Sequence, residues 1–162
     1  MEKGFTTDGY ILDQDCFEDY IYRGISSAIN GCGWIAAYDF LRGLGKTVDF
    51  RQVHREMNAF FPQQIPGPTP VRVLRQYLRR WGRYPFRWGR RNSLKAAEKS
   101  RAGILRYWEG KEPHFVAYIR AAEGDQFRFF NVCDGQEEIF LSMEEFFRIH
   151  CVRGLVRVIT DR

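Results

Sequence analysis

The sequence lacks the long apolar runs that membrane-spanning proteins need. Nowhere does an apolar stretch approach the ~18 residues of a transmembrane helix. The segment from Met1 to Asp8 contains no apolar core of the kind found in signal peptides. We therefore expect a soluble, cytoplasmic protein with no membrane partner.

Paired cysteines are missing as well. Cys16, Cys32, Cys133 and Cys151 are irregularly spaced, and none belongs to a Cys-x-x-Cys pair. A chain of 162 residues does not need disulfides to fold, so we expect reduced thiols. Cys133, His150 and Cys151 also lack the ligand spacing of a zinc site, and the sequence predicts neither a metal nor a cofactor.

Internal repeats, low-complexity tracts and long Gly/Ser/Pro linkers are also missing. Hydrophobic residues make up 44% of the chain and aromatic residues 16%. This content can build a core and argues against a disordered or fibrous protein. We therefore predict one domain over residues 1–162.

Acidic residues are scarce in one segment. Residues 72–101 hold eleven of the 25 basic residues and only one acid, Glu98, although the net charge of the whole chain is +5. A positive field is therefore expected there. Aromatic residues interleave with these arginines, as in surfaces that bind nucleic acid. They are Trp81, Tyr84, Phe86 and Trp88.

An ordinary solvated helix explains part of this basic segment equally well. Arg72, Arg75, Arg79 and Arg83 recur on one helical face, opposite Leu74, Leu78 and Trp81. A basic patch alone is poor evidence for a specific partner, so nucleic acid is an unlikely ligand. Two other functions of this segment stay open, namely the binding of an acidic partner and the electrostatic steering of an acidic substrate. The candidate substrate-binding or partner-binding residues are Trp34, Arg79, Arg83 and Arg87.

Apolar residues at helical spacing dominate the first half of the chain. They predict a helix over residues 31–44, which ends at Gly43-Leu44-Gly45. Two further helices are predicted before Pro62 and after Pro70. Their inward-facing residues are Phe50, Val53, Met57 and Phe60 in the first, and Leu74, Tyr77, Leu78 and Trp81 in the second.

After about residue 102 the pattern changes to short runs rich in Ile, Val, Phe and Tyr. Turn residues separate these runs, so we predict antiparallel strands. The capping box Ser142-Met143-Glu144-Glu145 predicts a helix before the last strand. The predicted fold is α+β, with N-terminal helices packed on a C-terminal antiparallel sheet. The predicted strands cover residues 103–108, 114–119, 127–132 and 155–159.

Cys32 lies where the first strong helix begins, directly after Asn30 and Gly31. The helix dipole and the free backbone N–H groups of a first turn favour an anion, so a thiol there ionises more readily. His114 starts one predicted strand and Asn131 ends the next. If the two strands form a hairpin around Gly124, His114 and Asn131 lie side by side. The order and context of the three side chains predict a Cys-His-Asn site.

Each of these residues also has a structural explanation. A cysteine at a helix start is more often a small buried residue than a nucleophile. His114 fits a satisfied core or surface histidine about as well as a base. Asn131 fits ordinary turn chemistry.

Several motifs, in order, resemble a known family. They are Gly31-Cys32-Gly33-Trp34-Ile35-Ala36-Ala37-Tyr38 with Leu41 and Gly45, His114-Phe115-Val116-Ala117-Tyr118, and Phe129-Phe130-Asn131-Val132 with Gly135 and the segment 141–146. The sequence resembles the papain-like peptidase domains that cut double-glycine leaders from bacteriocin precursors, and their standalone relatives. The resemblance spans residues 25–160 and implies a papain-like fold. It also implies that Cys32 is the nucleophile, His114 the base and Asn131 the residue that orients the base.

The chain departs from that family's pattern at two places. Ser26 stands where the family carries a glutamine that donates to the oxyanion, and Asn131-Val132 replaces the commoner Asp-Pro. Losing an oxyanion donor costs about 10²–10³ in rate. The candidate replacement donors are Ser26, Ser27 and Asn30.

The sequence thus predicts a cysteine peptidase that acts on a peptide or protein substrate. The thiolate of Cys32 would attack a peptide carbonyl, His114 would protonate the leaving amine, and water would release the acyl-enzyme. A thiol-dependent acyltransferase on the same fold is the first alternative. The second is a catalytically inactive module that binds nucleic acid or an acidic protein through residues 72–101.

Overall fold

A computed structural model describes residues 3–60, 66–132 and 137–162. Cys133 and Gly135, named above, lie outside these ranges. The described residues form six α-helices and a 3-10 helix, together with a two-stranded hairpin of β1 (Ile21–Tyr22) and β2 (Ile25–Ser26). The helices are α1 (Ser27–Asn30), α2 (Cys32–Gly43), α3 (Phe50–Ala59), α4 (Val71–Leu78), α5 (Arg90–Lys99) and α6 (Met143–His150). The 3-10 helix covers Gln14–Phe17.

A six-stranded sheet runs through the molecule, and all of its neighbouring strands are antiparallel. Its strand order is β3-β8-β4-β5-β6-β7, so the last strand of the chain lies between two earlier ones. The strands are β3 (Phe86–Trp88), β4 (Ala102–Glu109), β5 (Glu112–Arg120), β6 (Gln126–Phe130), β7 (Ile139–Ser142) and β8 (Arg157–Thr160). β3 and β7 therefore form the two edges.

Both faces of this sheet are covered by hydrophobic cores. On one face Ile104 and Phe115 pack in a cluster with α2, α3 and α4. On the other face Leu105 and Val116 pack in a cluster with α5 and α6, where the rings of Phe129 and Phe146 stack at 3.9 Å. Successive residues of β4 and β5 thus alternate between two apolar environments. The two faces are called here the α2 face and the α6 face.

Side-chain caps fix the starts of two predicted helices. Asp49 accepts hydrogen bonds from the backbone N–H groups of Arg51 and Gln52, which begins α3. Ser142 Oγ accepts from the backbone N–H of Glu145 at 3.1 Å, which begins α6 as the capping box predicted.

The mixed α+β class is confirmed, and the predicted helices and strands overlap the observed ones. The N-terminal helices pack on the sheet as predicted, and α5 and α6 cover its opposite face, which the sequence did not predict. The sequence also did not predict β3, which joins the sheet through β8. The papain-like fold stays a prediction.

Hydropathy along the helices agrees with the absence of long apolar runs in the sequence. Within residues 3–60, 66–132 and 137–162, none of the helices combines the length and the apolar character needed to cross a membrane.

Candidate functional site

Cys32 begins α2, as predicted, but its side chain is only 4% exposed. Burial raises the pKa of the thiol to about 11. The backbone N–H groups of Phe115 and Gly33 and the positive charge of Arg106 act in the opposite direction, and burial outweighs them. The helix N-terminus therefore does not produce a thiolate at neutral pH.

Cys32 and His114 share no hydrogen bond between their described side chains. His114 is directly opposite Tyr107 across the β4–β5 ladder, and Tyr107 packs on the α6 face. The backbone N–H of the next residue, Phe115, approaches the Cys32 sulfur. The sulfur thus lies at the backbone of β5 one residue after His114, and the nucleophile–base pair stays a prediction.

His114 is instead a buried histidine held by backbone and aromatic contacts. Its Nε2 lies 2.8 Å from the backbone oxygen of Asn131, and its ring meets the Tyr107 ring edge-on at 5.9 Å. Burial lowers the pKa of the imidazole, so the neutral form is favoured at neutral pH. These contacts fit the structural explanation of His114, and its catalytic role stays a prediction.

Asn131 does lie beside His114, but its amide group is used elsewhere. Asn131 Oδ1 accepts from the backbone N–H of Gln14 at 3.0 Å, and Asn131 Nδ2 donates to Gln14 Oε1 at 3.0 Å. Gln14 Nε2 in turn donates to the backbone oxygen of Ala28 at 2.8 Å. The predicted amide–imidazole bond is therefore wrong, because the backbone carbonyl makes the contact. Gln14, which the sequence analysis did not single out, links the end of β6 to α1.

Ser26 and Asn30, two of the three oxyanion candidates, also serve local structure. Ser26 caps α1, since its Oγ accepts from the backbone N–H of Ala28 and donates to the backbone oxygen of Glu18 at 2.8 Å. Asn30 is buried, and its Nδ2 donates to the backbone oxygen of Tyr22 at 3.0 Å. Both groups thus hold the hairpin and α1 in place.

The four candidate partner-binding residues lie in three different environments. Trp34 is fully buried and donates from Nε1 to Ser27 Oγ at 3.0 Å, so it is not available to a partner. Arg79 and Arg83 line a surface cavity of about 520 Å³. Arg87 points to the other side of β3 from Trp88, and its Nη1 donates to the backbone oxygen of Phe86 at 2.9 Å.

A second cavity, of about 420 Å³, adjoins the first because Arg75 lines both. Among the residues that the structure describes, no aspartate or glutamate lines either cavity, and the walls include apolar groups such as Val71 and Phe86. The guanidinium of Arg75 lies 4.3 Å from the centre of the Phe86 ring. We call the two cavities together the arginine groove. Its arginines are Arg72, Arg75, Arg79, Arg83 and Arg157.

A row of side chains crosses the sheet from this groove to Cys32. Trp88 on the edge strand is opposite Arg157, Arg157 is opposite Arg106, and Arg106 is opposite Phe115. All four side chains share the α2 face. The row joins the 73% exposed ring of Trp88 to the backbone N–H group that approaches the Cys32 sulfur.

The two arginines in the middle of this row have no counter-charge. Neither Arg106 nor Arg157 forms an ion pair or a hydrogen bond with another residue of the described chain, and Arg106 Nε is buried without a partner. Burial first, and then the charge of Arg157, lowers the pKa of Arg106. The sequence analysis missed this pair. One signal was available, because Arg106 shares a strand face with the buried Ile104.

The chain matches no protein-family model and no curated protein. The resemblance to leader peptidases therefore stays a prediction, and the functional argument depends on the residues themselves.

Proposed function

We propose that this protein binds an acidic protein segment in the arginine groove, with Arg157 in the groove wall and Arg106 directly behind it as the innermost cationic groups. The observation that carries the proposal is the unpaired Arg106–Arg157 neighbours on adjacent strands. Like charges directly opposite each other in a sheet are destabilising. A carboxylate bound in the groove at Arg157 would offset that repulsion through charge-assisted contacts.

The groove favours an acidic peptide over a nucleic acid. Its arginines surround apolar groups, among them Leu78, Tyr84 and Ile159 in one cavity and Val71 and Phe86 in the other. A segment that carries both carboxylates and apolar side chains complements such a lining, since guanidinium groups bind carboxylates in a bidentate fashion. Stacking of successive bases would need several exposed aromatic rings. Of the two aromatic rings in the row, only that of Trp88 is largely exposed.

Fluorescence anisotropy with a labelled peptide of alternating glutamate and valine tests this proposal. Each charge-assisted contact contributes about 1.5–3 kcal/mol, so the double variant Arg106→Gln/Arg157→Gln should bind the peptide at least ~10-fold more weakly. Higher ionic strength should weaken binding to the unmodified protein. Because Arg106 is half-buried, a second variant, Arg72→Gln/Arg79→Gln, changes only exposed groove residues and should also weaken binding.

The matched control is Arg148→Gln/Arg153→Gln, which removes the same charge from an exposed region at the end of α6. It should leave the affinity nearly unchanged. Equal losses in the control and the groove variants would contradict the proposal, as would equal binding of a glutamine–valine peptide. Tighter binding of single-stranded DNA than of the acidic peptide would favour the nucleic-acid alternative.

A thiol peptidase is the second candidate function. One contact favours it, because the backbone N–H groups of Gly33 and Phe115 approach the Cys32 sulfur and favour its thiolate. The opposing observation is the burial of Cys32, which raises the pKa of its thiol. The charge of Arg106 acts in the other direction and favours the thiolate.

Site-resolved alkylation with iodoacetamide at about pH 8 separates the two candidates. The burial of Cys32 and Cys151 predicts that both label more slowly than the partly exposed Cys16. Labelling of Cys32 ahead of Cys16, slowed by His114→Ala, would instead support the peptidase. A Cys32→Ser variant that still binds the acidic peptide would show that binding does not need the thiol.

A further inference from the structure

We infer that the acidic segment binds as an extended strand added to the open edge of the sheet at β3, an inference that rests on the proposed function. The partner is then an extended peptide with carboxylates at alternate positions. Four features of the described residues carry this inference. They are the open edge itself, the direction of its backbone groups, the shared face of its side chains and the charge of the groove.

The direction of the backbone groups follows from the β3–β8 ladder. The backbone N–H of Thr160 donates to the oxygen of Pro85 at 3.0 Å, and the N–H of Gly89 donates to the oxygen of Val156 at 2.8 Å. Both bonds belong to the register in which Arg87 is opposite Val158. In an antiparallel ladder, bonded and non-bonded pairs alternate. The backbone groups of Arg87 therefore point to β8, and those of Phe86 and Trp88 point to the open side.

These outward groups are available for a new strand. Within the described chain, the N–H groups of Phe86 and Trp88 have no hydrogen-bond partner. The backbone oxygen of Phe86 accepts only from Arg87 Nη1, a solvent-exposed side chain of the same strand. An open row of donors and acceptors is a template for strand addition. The Arg87 side chain protects this edge and would have to move when a peptide binds.

The side chains beside this edge select what is added. Phe86 and Trp88 share the α2 face with Arg157, and both line the arginine groove with Arg72 and Arg75. Every second residue of an added strand would therefore point to the groove. Carboxylates at those positions meet guanidinium groups, whereas the residues between them point to the opposite side. We therefore expect a peptide with alternating acidic residues to bind more tightly than a peptide of equal charge whose acidic residues are clustered.

The exposed Trp88 ring agrees with a partner at this place. A tryptophan that is 73% exposed on an edge strand leaves a large apolar area in water. A strand added beside β3 would cover part of this ring. Tryptophan and arginine together are also the residue types that contribute most of the binding energy in protein interfaces.

Amide hydrogen exchange, followed by NMR with and without the glutamate–valine peptide, tests the inference. We expect the amides of Phe86 and Trp88 to exchange at least ~10-fold more slowly in the complex, because both would gain hydrogen bonds. The amide of Arg87 is an internal control, since it already points to β8 and should change much less. Slowing that is equal at all three amides would indicate general rigidification and would overturn strand addition.

A second measurement uses the peptide backbone. Two peptides of the same sequence are N-methylated at alternate residues, one set at odd positions and the other at even positions. Only one set of peptide amides can face β3, so one peptide should lose most of its affinity and the other should keep it. Equal affinities would overturn the inference while the proposed function stands. Failure of every acidic peptide to bind would overturn the proposed function itself.

Discussion

Asp39 is a fully buried carboxyl group in the middle of α2. Its Oδ1 accepts from the backbone N–H of Ile11 at 2.8 Å, while its Oδ2 has no hydrogen-bond partner. Burial raises the pKa of Asp39 well above its ordinary value, and the charge of Asp8 adds to this. The Ile11 N–H and the charges of Arg42 and Arg128 oppose the rise without cancelling it. Burial therefore favours the protonated form of Asp39 in the folded protein.

This proton predicts a specific pH dependence of stability. The carboxyl pKa of the unfolded chain is about 3.9. At pH values between this and the raised pKa of the folded state, the folded state binds more protons than the unfolded state. Its stability must then fall as the pH rises. In Asp39→Asn that contribution disappears, so the variant should gain stability relative to the unmodified protein as the pH rises from about 5 to about 8.

Urea unfolding at the two pH values measures this effect. The exposed Asp19, between the 3-10 helix and β1, offers a control, and Asp19→Asn should show no such gain. A constant difference between Asp39→Asn and the unmodified protein at both pH values would mean that Asp39 is already ionised in the folded state.

At the scale of elements, α2 meets the segment before α4 at one tight contact. A Cβ atom built on Gly33 would overlap Thr69 Oγ1 and lie 2.5 Å from Thr69 Cβ. Thr69 is buried, and its Oγ1 lies 3.0 Å from Tyr22 Oη. The contact therefore sets how closely the start of α2 approaches the hairpin and the segment before α4.

Gly33→Ala should destabilise the fold by about 1–3 kcal/mol through overpacking. Thr69→Ala alone should cost about 1 kcal/mol, because Tyr22 loses a hydrogen-bond partner. In the double variant the overlap with Thr69 Oγ1 is gone and only the contact with the Cβ atom of residue 69 remains. The loss in the double variant should therefore be smaller than the sum of the two single losses by at least ~0.5 kcal/mol. Chemical denaturation of all four proteins measures this coupling. Strict additivity would show that Gly33 and Thr69 do not constrain each other.

The elements with one strong apolar face were the most predictable. The spacing of Phe50, Val53 and Met57 identified α3, and all three are buried. The capping box at Ser142 identified α6. β3 could not be predicted in this way, because three residues that alternate aromatic and basic character also fit a loop. Its place in the sheet depends on β8, which is distant in sequence.

The orientation of the predicted catalytic residues could not be read from the sequence. In β5, Phe115 and Ala117 face α2, while Val116 and Tyr118 face α6, and all four are apolar and buried. A strand with one polar face reveals its orientation by alternation, but a strand buried on both sides does not. The sequence therefore placed His114 at the start of its strand without showing which face of the sheet its side chain joins.

At the scale of the whole molecule, the sheet separates two cores and presents its charge at one edge. The basic segment was visible in the sequence, with Glu98 as its only acid. Its innermost members were not, because Arg106 and Arg157 come from strands far apart in the chain and become neighbours only through the β4–β8 ladder. Long-range pairing of this kind leaves no local pattern.

The position of β8 has a consequence for how the protein is made. The ribosome delivers β3 and β4 well before β8, yet β8 separates them in the finished sheet. Until Arg157–Thr160 has emerged, β3 has no neighbouring strand, and the aromatic and basic residues at the sheet edge have no defined positions. The nascent chain therefore cannot assemble its ligand surface early, and recognition of an acidic segment begins only once synthesis has passed the final strand.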